Sequence, residues 1–299
     1  VLVTGSQGTL GKPLVTELRK RGHRVWGCGL RHDADLEYVR ADIADANRVK
    51  HVFNLHDFDA CYHLAGEFGR MNGEHYPEAL WRTNCLGTRN IIDNCLRRDV
   101  HLIFASSSEA YGDIATHRSP LYESDMTVFV PSFYNDYALS KWTNEKQIEM
   151  AWRDHGLKTT ILRFFNVYGP GEHYNAYRSV VCQFIYRALH GLPITCYSET
   201  TRSFLYIDDW TNCVANVLHS LPCDTFNIAS TEQVSMRELL GIVLSEIETD
   251  ANVTYIDTEP QNVKHKHADV SKAMAQLGLK QSITLAEGIK RTVEWMKAQ

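Results

Sequence analysis

Over its first half the chain alternates short apolar runs with segments whose apolar residues recur every three to four positions. The apolar runs predict strands near 1–4, 24–28, 59–64, 101–106 and 159–164, and the helical periodicity predicts helices near 11–21, 46–54, 78–97 and 136–155. Strands alternating with helices imply a parallel sheet covered on both faces, an α/β fold of the Rossmann type with a doubly wound sheet. The regularity fades after residue 165. The pattern therefore divides the chain into a first domain over 1–165 and a smaller C-terminal lobe over 166–299, with a strand near 203–208 returning to the first domain. No internal repeat and no low-complexity linker is visible.

The first turn, "TGSQGTLGKP", spaces Gly5, Gly8 and Gly11 three residues apart, directly after an apolar strand and at the start of a helix. Glycines let the backbone turn sharply and approach a pyrophosphate, which then sits at the positive end of the helix. A dinucleotide site is expected there. An acidic residue at the end of the second strand would bind a ribose 2′-hydroxyl and repel a 2′-phosphate. In "HRVWGCGLRHD" that position is Gly29, with Arg31 two residues on. The missing carboxylate favours NADP(H); NAD(H) is the alternative, with Asp33 on the ribose. Asp42 and Ile43 are placed to meet the adenine edge.

The strand predicted over 101–106 ends in "FASSSEAYGD", which loads its tip with Ser106, Ser107, Ser108 and Glu109. A turn with capping hydroxyls would account for the serines alone. "NDYALSK", however, sets Tyr137 and Lys141 four residues apart, on one face of a helix. A tyrosine must lose a proton of pKa ~10 to act as a base, and a neighbouring ammonium and a nicotinamide cation both favour the phenolate.

Composition narrows the remaining classes. The formal net charge of -5 and the lack of a basic block argue against a nucleic-acid binder. Eight cysteines lie scattered without a C-x-x-C pair, the pattern of reduced thiols in a cytoplasmic protein. No metal motif is present, and His265 and His267 in "KHKHAD" are expected to be surface residues. No apolar run reaches the ~18 residues of a membrane helix, so no membrane partner is expected. The chain opens directly in "VLVTG", without a visible signal peptide.

Taken together, "VTGSQGTLG", "HLAG" (63–66), "TNCLGTRNII" (83–92), "SSSEAYG", "YALSK", "RFFNVYGPG" (163–171), "RSFLYIDD" (202–209) and the tail "HADVSKAMAQLGLKQSITLAEGIKRTVEWM" resemble the extended short-chain dehydrogenase/reductase family, the NAD(P)-dependent nucleotide-sugar epimerases and dehydratases. The resemblance covers nearly the whole chain. It implies a dinucleotide held by Gly5, Gln7, Gly8, Thr9, Leu10, Gly11, Arg31, Asp42, Ile43, Leu64, Ala65 and Gly66, together with Tyr137 and Lys141. It makes Ser107 the hydroxyl on the sugar's reacting oxygen, Tyr137 the base and Lys141 its activator, with Ser108 and Glu109 beside them. Asn166, Val167, Arg202 and Arg178 fall where the family holds the nucleoside-diphosphate sugar, in a lobe given mainly to that substrate. Asn84 resembles a structural asparagine, and the helices near 78–97 and 136–155 imply a homodimer. Thr9 departs from the family's usual aromatic. The stretch 66–81 departs too, and is expected to be a loop over the active site with Arg70, Asn72 and Glu74 as candidate contacts.

Oxidation of the sugar at C4 is the family's shared first step. Ser107-Ser108-Glu109 then favours a 4,6-dehydratase in which Glu109 shuttles the C5 proton. The alternatives are a UDP-glucuronate-type decarboxylase or a 4-epimerase, with a non-catalytic dinucleotide sensor as a distant third.

Overall fold

The computed structural model describes residues 1–219, 223–257 and 263–299. Its largest element is a seven-stranded parallel sheet. In spatial order the strands are Asp224–Ile228, Thr159–Phe164, His101–Ser107, Ala60–His63, Leu2–Thr4, Trp26–Gly29 and Tyr38–Arg40. From Leu2–Thr4 the chain builds outward to Tyr38–Arg40, then returns to add strands on the other side. The order therefore reverses between Leu2–Thr4 and Ala60–His63, which is where an open α/β sheet leaves a crevice at its carboxyl edge. Thr4, His63 and Ser107 end three adjacent strands at that edge.

Each face of the sheet carries its own core. Leu14, Tyr62, Ile103, Leu162 and Phe226 pack on one side, and Leu2, Phe53, Ile91, Leu102 and Ile148 on the other. Local chemistry sets the helix ends. The Asp45 side chain accepts the amides of Asn47 and Arg48 to start Ala46–Leu55. Asn135 accepts that of Ala138 to start Asp136–His155, and Gly156, at φ 72°, ends it.

Two features differ from the sequence pattern. The strand expected near 203–208 is Phe204–Tyr206, and it pairs with Asn166–Tyr168 outside the large sheet. The segment that returns to the large sheet is Asp224–Ile228, beside Thr159–Phe164. Aromatic packing decides this: Tyr168 meets Phe204 and Tyr206 edge-on within a third core that also holds Phe184, Leu239 and Ile289. The helix expected over 78–97 consists of Pro77–Trp81, a wide π turn over Arg82–Gly87 and Thr88–Arg98.

The third core belongs to the lobe, built from the helices Val180–Leu189, Met236–Glu246 and Leu285–Lys297 and the strand pair Ile194–Tyr197 with Val253–Ile256. The helix Ile207–Ala215 then crosses back onto Gly11–Lys20. Arg21 bonds Asn212 and Asn216 there, and the Tyr62 hydroxyl donates to the Val214 carbonyl.

Candidate active site

The glycine loop is built by close backbone approach. Gly5, at φ 69°, donates its N–H to the Cys28 carbonyl at 2.7 Å, and a Cβ on it would lie 2.8 Å from the Ala65 nitrogen. A Cβ on Gly11 would lie 2.2 Å from the Gly5 carbonyl oxygen. The following helix starts at Gly11 after Leu10, which provides no side-chain cap. A tight glycine turn against an uncapped helix start fits a pyrophosphate. Leu64 and Ala65 lie just beyond the end of the neighbouring strand Ala60–His63, their amides bonded to the Thr4 carbonyl and hydroxyl. Thr9, the departure noted above, donates to the Gly171 carbonyl at 3.2 Å and so ties this loop to the lobe.

Beyond Gly29, Gln7 donates to the His32 carbonyl and to the Asp33 carboxylate, and Tyr38 donates to Gln7. Arg31 is exposed, with no side-chain ion pair or hydrogen bond among the described residues. Arg40 stacks its donors on the same loop, at the Leu30 carbonyl and the His32 ring. Asp42 accepts from Arg82 at 3.0 Å, while Ile43 is buried and packs where Gly87 leaves room.

At the strand tip, Ser107 caps the turn Ser108–Tyr111 by accepting the Glu109 amide at 3.2 Å. Ser107 and Ser108 are both buried. Lys141 is 8% exposed; its Nζ donates to the Ala105 carbonyl at 2.8 Å and lies 5.9 Å from the centre of the Tyr137 ring. Burial lowers Lys141 to about 8, against the pull of Cys85 and Glu145. Burial pushes Tyr137 up to about 12; its hydrogen bond with Ser107 works the other way, and the Glu109 charge adds to the rise. Lys141 lies beside Gly66, where a Cβ would be 3.1 Å from Asn84 Oδ1 and 3.9 Å from Lys141 Nζ. Asn84 is buried within the π turn. It accepts from Glu67 and donates to the Glu67 carbonyl and the Ser140 hydroxyl.

Glu109 is not an isolated carboxylate. Lys266, 2% exposed, donates to it at 2.5 Å. Burial alone would raise the Glu109 pKa, but Lys266, with the added charges of Arg202 and Arg70, holds it below the usual carboxylate value. Burial lowers the Lys266 pKa in turn, with Glu109 opposing the fall. Arg202 also donates to the carbonyls of Val263 and Lys264. One carboxylate thus faces three cations.

The structure brings Ser107, Ser108, Glu109, Tyr137, Lys141 and Arg202 together. Asn166 and Val167 lie on the strand paired with Phe204–Tyr206, with Asn166 donating to the Ser203 carbonyl. Arg178 sits apart from that group, its guanidinium 5.0 Å from the centre of the Phe68 ring. The stretch 66–81 is not a plain loop, since it forms the short helices Arg70–His75 and Pro77–Trp81. Glu74 lies 3.9 Å from Arg70, Asn72 donates to Glu67, and His75 bonds Tyr177 of the lobe. Lys266 was not legible beforehand. It lies in a polar, histidine-rich run that reads as surface, which the structure pairs with neighbouring segments through the bridges Thr201–His265 and Leu121–Ala268.

No group of three or more His, Cys, Asp or Glu side chains among the described residues could hold a metal ion, and no helix there is long and apolar enough to cross a membrane. Comparison with known proteins gives this geometry its context. Over 99% of its length the chain is 27% identical to the UDP-N-acetyl-alpha-D-glucosaminuronate decarboxylase of Bacillus cytotoxicus, covering 97% of that protein. It is 29% identical to UDP-glucuronate 4-epimerase 1 of Arabidopsis thaliana, over 99% of this chain and 76% of that one. Among solved structures, the UDP-glucose 4-epimerase of Thermotoga maritima with UDP-glucose superposes with a TM-score of 0.89 at 25% identity, covering 99% of this chain and 98% of that one. The UDP-glucose 4-epimerase of Thermus thermophilus in complex with NAD gives 0.88 at 27% identity, with the same coverage. The model of the NAD dependent epimerase/dehydratase family matches residues 1–229. With its glycine loop, serine-tipped strand and Tyr137–Lys141 pair on a doubly wound sheet, the chain belongs to that family of nucleotide-sugar enzymes.

Proposed function

We propose that the protein is a UDP-hexuronate decarboxylase working through a 4-keto sugar. The observation that carries this reading is the ionised Glu109 ringed by Lys266, Arg202 and Arg70. A surplus of cations at a sugar site suits a substrate with its own carboxylate. A 4,6-dehydratase, expected from the serine–glutamate tip, needs an acid for the departing C6 hydroxyl. Glu109, whose charged form Lys266 favours, suits the part of a base better than that of this acid. The similarity to a glucosaminuronate decarboxylase and a glucuronate 4-epimerase points the same way.

The glycine loop and the Gly66–Lys141 neighbourhood would hold a dinucleotide. When bound, it takes a hydride from C4 of the sugar and later returns it. Tyr137 removes the C4 hydroxyl proton, with Ser107 hydrogen-bonded to the same oxygen and the Lys141 ammonium favouring the phenolate. A ketone at C4 makes the C6 carboxylate a β-keto acid, so carbon dioxide can leave with its electron pair passing to the C4 oxygen. Ser107 and Tyr137 stabilise that enolate. Solvent protonates C5 through the Glu109–Lys266 pair, and reduction at C4 restores the hydroxyl.

A UDP-hexuronate 4-epimerase is the second reading, because a 4-epimerase is among the relatives and among the superposed structures. Simple re-reduction of the ketone from the other face leaves Glu109 without a role. Incubation with UDP-, GDP-, CDP- and dTDP-sugars, read by mass, separates these chemistries. Loss of carbon dioxide supports the first proposal, an unchanged mass with a new configuration the second, and loss of water the dehydratase. For the cofactor we propose NADP(H), from Gly29 and the basic pair Arg31 and Arg40, although the Thermus neighbour holds NAD. We also propose a homodimer through the helices Thr88–Arg98 and Asp136–His155, beside which Leu86, Met150 and Trp152 lie exposed.

A further inference from the structure

We infer that Glu145 is a positioning residue, which fixes the serine-tipped strand end against the helix carrying Tyr137 and places its carboxylate one helical turn from Lys141. The inference rests on the proposal that Tyr137, Lys141 and Ser107 are the reacting set.

Tyr137, Lys141 and Glu145 follow at four-residue intervals on one face of the helix Asp136–His155. Three successive strand residues meet them. Ser107 lies close enough to Tyr137 to favour its ionised form, the Ala105 carbonyl accepts from Lys141 at 2.8 Å, and the Ser106 hydroxyl donates to Glu145 Oε1. The Ser106–Glu145 bridge involves no member of the reacting set, and with the Lys141–Ala105 bond it holds the strand to the helix where Ser107 and Tyr137 meet.

Glu145 is itself held firmly. Arg163 grips it with two bonds, Nε to Oε1 at 3.0 Å and Nη2 to Oε2 at 2.8 Å. Arg163 also donates to the Tyr111 hydroxyl and the Glu123 carbonyl, and Tyr111 donates to Asn227 on the outer strand of the sheet. A buried Glu–Arg pair is often no more than a staple, and replacing one by apolar groups is frequently harmless. Here one face of the carboxylate is turned to the catalytic strand by Ser106, and its charge acts on Lys141.

The groups facing Lys141 are Cys85 from the π turn, the Phe104 ring from the strand, the Tyr137 ring and Glu145 from its own helix, and His63 from the next strand. His63 is neutral, since burial lowers it to about 3, and burial raises Cys85 to about 11, so it too is uncharged near neutrality. Glu145 is therefore the anion that supports the Lys141 ammonium at working pH. The groups facing Glu145 are Ser106, Arg163 and Lys141.

The test uses Glu145→Gln and Ser106→Ala in the full-length protein. Two quantities are read: the pH dependence of substrate-driven reduction of the bound dinucleotide, and the titration of Lys141 by NMR of lysine-labelled protein, assigned with Lys141→Met. In Glu145→Gln, the Lys141 midpoint and the alkaline limb of the rate profile should move together to lower pH. In Ser106→Ala, where all charges remain, the rate should fall ~10-fold to 10²-fold, the scale of a misplacement of about 1 Å, with neither midpoint moving. An unmoved Lys141 midpoint in Glu145→Gln, whatever the rate, would leave Glu145 a structural staple and overturn the inference. So would an unchanged rate in Ser106→Ala. If Glu145→Gln does not fold because Arg163 is left as a buried unpaired charge, Glu145→Gln with Arg163→Gln removes both charges and carries the same expectation. Full dinucleotide reduction in Tyr137→Phe would instead sink the underlying assignment, and is scored separately.

Discussion

Near neutrality the phenol of Tyr137 keeps its proton in the protein alone, because burial and the Glu109 charge outweigh the Ser107 hydrogen bond. The base must therefore be made by added positive charge, from Lys141 and from an oxidised nicotinamide ring. Keeping that ammonium buried is costly, and the cost has a pH signature. Lys141 binds its proton at about 8 in the folded protein against 10.5 ordinarily. Below pH 8 both forms are protonated; between about 8 and 10.5 only the unfolded chain still holds the proton, so this group makes folding stability rise with pH across that window. The full difference is about 3 kcal/mol. Lys141→Met should lose activity yet unfold at higher urea near neutrality, and should lack the rise above pH 8. Equal urea midpoints at all pH values would show that the ammonium is better solvated than its burial implies. Arg31 supports a second prediction at this scale. Arg31→Ala should weaken NADP(H) binding, by about tenfold for a lost charge-assisted contact, and leave NAD(H) nearly unchanged in a titration of each. Equal affinity for the two dinucleotides in the unaltered protein would place the choice with Asp33, which Gln7 already holds toward the loop.

Among the elements, the glycine turn is the most exacting. Gly11→Ala puts a Cβ 2.2 Å from a carbonyl that has no room to move, because Gly5 is bonded to Cys28 and packed on Ala65. The variant should lose dinucleotide affinity by at least about tenfold and unfold more readily; near-normal binding by fluorescence titration would show that the turn can relax. This element could be read from sequence because spacing alone decides it. So could the strands at 2–4, 60–63, 101–107 and 159–164, which are buried almost throughout and carry short apolar runs such as Leu102–Phe104 and Ile161–Leu162. The edge strand Tyr38–Arg40 is short and half-exposed, and leaves no such run. "DTFNI" at 224–228 alternates polar and apolar residues and is fixed only by its neighbour Thr159–Phe164. Tyr137 and Lys141 announced themselves by helical spacing, whereas Lys266 lies 157 positions from Glu109 and no local pattern predicts their meeting. Glu145 was hidden for a related reason, since its partners Ser106 and Arg163 come from two other strands.

In the whole molecule, the sheet delivers Ser107 and Glu109 from one side of the crevice, and the lobe delivers Arg202 and Lys266 from the other. Helix Arg70–His75 adds Arg70 and reaches the lobe through His75 and Tyr177. The cleft is thus assembled by segments far apart in the chain, and at its centre Glu109 faces Lys266, Arg202 and Arg70, the last also 3.9 Å from Glu74. An anionic sugar explains that balance better than a neutral one does. The most direct test is to incubate the protein with UDP-glucuronate and dinucleotide in deuterium oxide, following the product by mass and proton NMR. Decarboxylation through the C4 ketone predicts a UDP-pentose with one deuterium at C5 and carbon dioxide released in equal amount. A product of unchanged carbon count, inverted at C4 and carrying no deuterium, would contradict it and leave the Glu109–Lys266 pair without a part in the chemistry.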